Sequence, residues 1–279
     1  MRVSESCARC LYDKQARLTE DKAYLEEVQR ILRARGENDS APYLVYRFNQ
    51  IYEKHFGKKP SYGEIKKKYN DLVLSMEGAL RSRIEESPNP LQTAFLLARI
   101  GNYVDFGAMN QVEEEVFLKM FDNVTPGASE EETLEAFFKK CSQASKFLLL
   151  ADNCGEIVLD RLFLEQLKKQ FPQLEFTVMV RGGEALNDAT IEDAEYVGME
   201  KLATIVTNGL PMTGAAYDLL PPDARKAVDE ADVILSKGQG NYEAFSRQGR
   251  HAFYSFLCKC ELFTSRFQVP RLTGVFVEE

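Results

Sequence analysis

Histidine is nearly absent from this 279-residue chain. His55 and His251 are the only two, which excludes any site needing three or more histidines from one copy. Cysteine is also scarce. Six in a chain this long do not make a disulfide scaffold, and a reduced, cytoplasmic setting is expected. No apolar stretch approaches the length that spans a bilayer. The N-terminus lacks a signal-peptide core, since Cys7, Arg9 and Cys10 occupy that zone, so no membrane role is expected. Positive charge is in deficit: 35 basic against 43 acidic residues leave a net charge of −8, which argues against nucleic acid as the main partner. The one compact basic run, Lys66-Lys67-Lys68, falls within a helical pattern of Ile65, Tyr69 and Leu72 and reads as a solvated face. There is no internal repeat, no low-complexity segment and no Walker A pattern.

Enough apolar residue is present, at 44%, to bury a substantial core. Up to about residue 144 the apolar residues recur at helical spacing, over 18–35, 43–56, 65–84, 91–105 and 130–141. Gly36, Gly57-Lys58-Lys59-Pro60, Pro88-Asn89-Pro90 and Thr125-Pro126-Gly127 punctuate them. Ser129 with Glu132 forms a capping-box pattern for the last. After Ser145 the rhythm changes. Short apolar runs end near Ala151, Val180, Thr207, Ser236 and Phe256, most with room for a helix between them, which argues for parallel strands joined by right-handed crossovers. The expected fold is α/β: an all-helical domain over residues 1–144 covering a cleft, then a Rossmann-like, mostly parallel catalytic domain over 145–279.

The most informative stretch is Asp152-Asn153-Cys154-Gly155-Glu156. It follows the apolar run 147–151 and precedes a helical pattern, so a carboxylate and an amide fall at a strand's carboxyl end, where ligands bind in open α/β sheets. The N–H groups of the following helix add anion affinity. Hard oxygens beside an anion site suit a divalent metal that handles phosphate. The plainer alternative is a helix N-cap, with Glu156 closing a capping box. A second strand, 176–180, leads to Arg181-Gly182 and then Asn187-Asp188, where Asp188 offers a further oxygen or makes an ordinary turn. A third, 232–236, leads to Lys237-Gly238-Gln239-Gly240-Asn241. There a glycine-rich loop brings N–H groups to an anion and Lys237 adds charge; the rivals are a dinucleotide turn, for which the full fingerprint is missing, and a plain loop.

These three motifs, with Asn187-Asp188-Ala189-Thr190, Asp193-Ala194, Asn241-Tyr242-Glu243, the early Cys7-Ala8-Arg9-Cys10 and the late Lys259-Cys260, resemble the damage-control phosphatases, once a domain of unknown function, and within them the mostly prokaryotic subfamily. The resemblance covers nearly the whole chain. It implies metal-dependent hydrolysis of phosphomonoesters of small metabolites, sugar phosphates or damaged phosphometabolites. The family's metal triad falls on Asp152, Asn153 and Asp188, for manganese, cobalt, nickel, iron or magnesium. Glu156 is implied to orient water, and Lys237 with Gly238, Gln239, Gly240 and Asn241 to cradle the substrate phosphate. Lys259 is implied to contact substrate, and Asn102 and Asp105, three apart on one helical face, to look into the cleft. Cys7 and Cys10 have metal-ligand spacing, and with Cys258 and Cys260 they make either a structural zinc site or a set of reduced thiols. Two other classes compete with a phosphatase: a non-catalytic nucleotide- or metabolite-binding protein, and a carboxyl methyltransferase, for which no glycine-rich cofactor turn follows the first strand. The physiological substrate and the oligomeric state are not legible in the sequence.

Overall fold

A computed structural model describes residues 3–105, 113–122 and 130–279. The first part is helical: α1 (Glu5–Leu18), α2 (Lys22–Arg33), α3 (Ala41–Phe56), α4 (Gly63–Ser75), α5 (Glu77–Glu86), α6 (Pro90–Gly101), α7 (Glu114–Met120) and α8 (Glu131–Gln143). Strands and helices then alternate: β1 (Lys146–Leu150), α9 (Glu156–Gln170), β2 (Glu175–Val180), α10 (Ile191–Tyr196), β3 (Thr204–Thr207), α11 (Pro222–Glu230), β4 (Val233–Lys237), α12 (Gly238–Phe245), β5 (Phe253–Leu257), α13 (Glu261–Phe267) and β6 (Gly274–Glu278).

The local chemistry explains most of these boundaries. Ser4, Asp21, Ser40 and Asn89 each accept a backbone N–H of the first turn of α1, α2, α3 and α6, and Pro42 and Pro90 sit where a helix loses nothing by a missing donor. Two helices escaped the sequence reading. α1 buries only Ala8, Leu11 and Gln15, too sparse a stripe to show as a period, and α7 is a two-turn piece. The pattern over 65–84 is two helices, broken at Met76. Ser129 and the 125–127 turn lie outside the described residues. Lys66, expected on a solvated face, is instead buried and paired to Asp193 at 2.5 Å, while Lys67 and Lys68 are exposed.

The described strands form one sheet in the order β3-β2-β1-β4-β5-β6. All neighbours are parallel except β6, which runs antiparallel to β5 and was not anticipated. Phe147, Leu148, Leu149 and Leu150 of the central β1 are all buried, as a strand covered on both faces demands. Chain order reverses between β1 and β4, so the carboxyl ends of these two strands frame the crevice where open α/β sheets bind ligands.

One large apolar cluster joins α4, α5, α6, α7 and α8 to a face of the sheet. Phe95 on α6 packs edge-on against Phe163 of α9 and Phe276 of β6. Hydrophobic contact therefore runs unbroken across residue 144, where the secondary structure changes character. A second cluster, around Tyr242, Tyr254, Phe256 and Phe263, covers the other face. A third belongs to α1, α2 and α3 alone, and α3 packs on α12. No helix among the described residues is long and apolar enough to cross a membrane.

Candidate active site

Asp152 and Asn153 directly follow β1, Arg181 directly follows β2, and Lys237 ends β4. All are buried. The turn after β1 is fastened to the segment after β2 by backbone bonds: Asn153 and Asp188 form an isolated antiparallel bridge, Cys154 N donates to Asn187 O at 2.9 Å, and Ala189 N donates to Asp152 O at 2.7 Å. Asp152, Asn153 and Asp188, distant in sequence, are thereby brought to one place.

Side chains complete the cluster. Arg181 donates from Nη2 to Asp152 Oδ1 at 3.1 Å and from Nε to Asp188 Oδ2 at 2.6 Å. Asp152 Oδ2 accepts from Asn153 Nδ2 at 2.8 Å and from Asn102 Nδ2 at 3.0 Å. Glu156 Oε2 accepts from the same two amides, at 3.0 and 3.1 Å. Asn153 Oδ1 accepts from Asn187 Nδ2 at 3.1 Å. Asn102 reaches so far because Gly101 lets α6 lie against α9; a Cβ there would stand 2.7 Å from Glu156 Cα. Asn102 and Asp105 lie beyond the end of α6 rather than on one of its faces. They still enter the site, Asn102 as described and Asp105 by accepting from Lys259 Nζ at 2.7 Å.

The stretch 237–241 is not a loop. Lys237 is the last residue of β4 and α12 begins at Gly238, so any anion there meets a helix N-terminus rather than a flexible cradle. Asn241 is fully occupied inside the protein: its Oδ1 accepts from Arg181 Nη1 and Ala215 N, and its Nδ2 donates to the carbonyls of Lys237 and Ala151. Gln239 accepts from Lys259 N at 3.2 Å, tying α12 to the end of β5. Lys237 Nζ lies 2.7 Å from Glu156 Oε1 and 2.5 Å from Asp160 Oδ1. The start of α9 offers less to an anion than expected. The N–H groups of Asn153, Cys154 and Gly155 go to Glu156 Oε2, Asn187 O and Asn70 Oδ1. Asn208 makes the turn after β3, accepting from Gly182 N and Leu210 N.

Four connected residues were not among the expected ligands. Arg181 carries the same signal as Asp152, a polar residue at a strand's carboxyl end. Asp160 lies four residues beyond Glu156, on one face of α9. Asn70 and Asn187 gave no sign, because their partners are set by tertiary contact alone.

The electrostatics are lopsided. Asp152, Glu156, Asp160 and Asp188 are buried with Arg181 and Lys237, so four carboxylates face two cations. Burial, then the nearness of Asp188 and Glu156, pushes the Asp152 carboxyl well above its usual range. Burial raises Asp188 to about 6 against the pull of Arg181, and raises Asp160 to about 7 against the pull of Lys237. An excess of two negative charges on hard oxygens is what a divalent cation relieves. Asp152, Asn153 and Asp188 fit one: two carboxylates and an amide carbonyl. Among the described residues no three His, Cys, Asp or Glu side chains are grouped to hold a metal. The thiols follow that rule. All six are free. Cys7 on α1 feels Cys10 and Cys260, but burial comes first in pushing it up to about 12, and Cys258 is buried in the second apolar cluster.

The model for the damage-control phosphatase ARMT1-like domain matches residues 2–273. A damage-control phosphatase of Archaeoglobus fulgidus is 33% identical over 277 residues, covering 94% of this chain and 93% of the relative. One from Pyrococcus horikoshii is 26% identical over 285 residues, covering 97% and 96%. The crystal structure of a DUF89 family protein from Pyrococcus horikoshii superposes with a TM-score of 0.80 at 25% identity, covering 99% of this chain and 98% of that one. With its mostly parallel sheet, its oxygen cluster at the strand ends and a family match over nearly its whole length, the chain belongs to the damage-control phosphatase family of ARMT1-like domains.

Proposed function

We infer that this protein hydrolyses phosphomonoesters of small metabolites, sugar phosphates or damaged phosphometabolites, with a divalent cation held by Asp152, Asn153 and Asp188. The observation that carries this reading is the uncompensated pair of negative charges on buried oxygens, set beside the N-terminus of α12. Cation and phosphate would meet there, each in a field of opposite sign.

A divalent cation bound at these oxygens supplies Lewis acidity, polarising the phosphoryl group and acidifying water. The residues do the rest. Arg181 keeps Asp152 and Asp188 ionised and aimed. The first N–H groups of α12 face the phosphate oxygens, where charge shifts during transfer. Lys259 stands at the rim, paired to Asp105, with a charge that a phosphate can share. Water is a better nucleophile here than Asp152. Both oxygens of that carboxylate are already engaged, Oδ1 by Arg181 and Oδ2 by two amides, so it is poorly placed for the attack that covalent catalysis requires.

The test is phosphate release from p-nitrophenyl phosphate and a panel of sugar phosphates, with manganese, cobalt, nickel, iron or magnesium added in turn. Activity should vanish in excess chelator and return with metal. Full turnover in chelator would overturn the metal reading, and inactivity on every ester with every metal would overturn the phosphatase reading.

A further inference from the structure

Lys237 occupies the place of a phosphate-binding lysine, yet its ammonium is spent. A lysine has three N–H donors, and this one has three protein partners: Glu156 Oε1 at 2.7 Å, Asp160 Oδ1 at 2.5 Å and the carbonyl oxygen of Ala98 at 3.2 Å. Its side chain is 2% exposed, and those of the two carboxylates 0% and 1%. Reaching a phosphate would strand at least one carboxylate without its counter-charge, which is costly in a dry interior. Burial pulls the ammonium's pKa down, but attraction to Asp160 and Glu156 outweighs it.

The other oxygen of Glu156 points the opposite way. Oε2 receives Asn153 Nδ2 at 3.0 Å, Asn153 N at 3.3 Å and Asn102 Nδ2 at 3.1 Å. A carboxylate only accepts, so the nitrogen end of the Asn153 amide is pinned toward Glu156 and Asp152. The oxygen end is turned away, toward Asn187 Nδ2 at 3.1 Å, with a second lone pair to offer. A hard cation takes the oxygen end of an amide. The direction of this amide is therefore chosen by Glu156 and Asp152, and Glu156 is in turn anchored by Lys237. Asp160, one helical turn along α9, is at the spacing that lets a single ammonium bridge both carboxylates.

We propose that Lys237 and Asp160 are positioning residues: they anchor Glu156, and through it fix the Asn153 amide with its oxygen toward the cation site, and Lys237 does not touch the substrate phosphate. This rests on Asp152, Asn153 and Asp188 being the cation's ligands. Removing partners of this kind typically weakens metal binding by about 10- to 100-fold.

The experiment measures manganese binding by calorimetry, and inhibition by inorganic phosphate at saturating manganese, for the wild type, Glu156→Gln, Asp160→Asn, Lys237→Met and the double variant Lys237→Met/Asp160→Asn. Manganese affinity should fall by about tenfold or more in each, while the phosphate inhibition constant stays within about twofold. Glu156→Gln is the sharpest case, because a neutral amide of the same shape can also donate and releases the Asn153 amide. Should Lys237→Met fail to fold with two carboxylates left unbalanced, the double variant removes one charge of each sign and is read in its place. A lysine variant that binds manganese normally but has lost phosphate inhibition would make Lys237 a direct phosphate ligand and overturn the proposal, as would variants unchanged in both readings. A wild-type protein that binds no divalent metal would instead overturn the metal centre itself.

Discussion

A Cβ placed on Gly238 would stand 1.9 Å from Asp152 Oδ2. The start of α12 is thus pressed directly onto the carboxylate at the end of β1, and φ at Gly238 is +80°, which side chains disfavour. Gly238→Ala should displace Asp152, destabilise the fold by about 1–3 kcal/mol and abolish most turnover. Two positions on, a Cβ at Gly240 would meet Thr213 at an ordinary 3.6 Å. Gly240→Ala should be tolerated within about 1 kcal/mol. Thermal melts and turnover on the pair check both; equal damage from the two would show that crowding at Asp152 is not the cause.

Asp152→Asn and Asp188→Asn should each separate stability from function. Each removes one of two carboxylates that raise each other's cost of ionising, and each leaves Arg181 the other carboxylate as partner. The metal-free variants should melt at or near the wild-type temperature, while manganese no longer raises the melting temperature and phosphate release is lost. A variant that keeps wild-type turnover would remove that residue from the ligand set.

The metal-free protein should grow less stable as pH rises through the weakly acidic range. Burial lifts Asp160 from 3.8 to about 7 and Glu243 from 4.5 to about 7. Between those ordinary values and pH about 7 the folded state holds more protons than the unfolded state, so stability falls as pH climbs through that window and levels off above it. Asp160→Asn should flatten part of this slope. Melting in chelator across the range, on wild type and variant, is the check; a wild-type slope of opposite sign would refute it.

The thiols should divide by exposure. Cys10 and Cys260 are exposed, Cys7 is half-buried, and Cys141, Cys154 and Cys258 are buried. Burial raises Cys141 to about 12 and Cys258 to about 11, which lowers the thiolate fraction that reacts. A disulfide-exchange reagent at neutral pH should modify Cys10 and Cys260 first and all six after denaturation. Zinc released on modification, in stoichiometric amount, would instead show the terminal thiols to be ligands.

Much of this protein was legible before folding was considered. Five of the six strands, Asp152 and Asn153 at a strand end, and the ordered motifs at Arg181 and Lys237 followed from apolar runs broken by polar and glycine residues. Such signals are local, and an apolar run buried on both faces needs no partner to be recognised. β6 escaped because a short edge strand of alternating exposure resembles any extended tail. α12 escaped because glycines at its start read as loop.

What the sequence by itself determined is the order of strands and helices and the oxygens that end up at the crevice. What only the tertiary structure decided is what those oxygens are paired with. Asn102 reaches Asp152 across 50 positions, and Lys237 reaches Asp160 across 77 and Ala98 across 139. A lysine beside glycines looks free for phosphate in one dimension. In three it is enclosed by two carboxylates, because a buried charge is tolerated only where counter-charges converge on it, and that convergence is made by packing α6 and α9 against the end of β4.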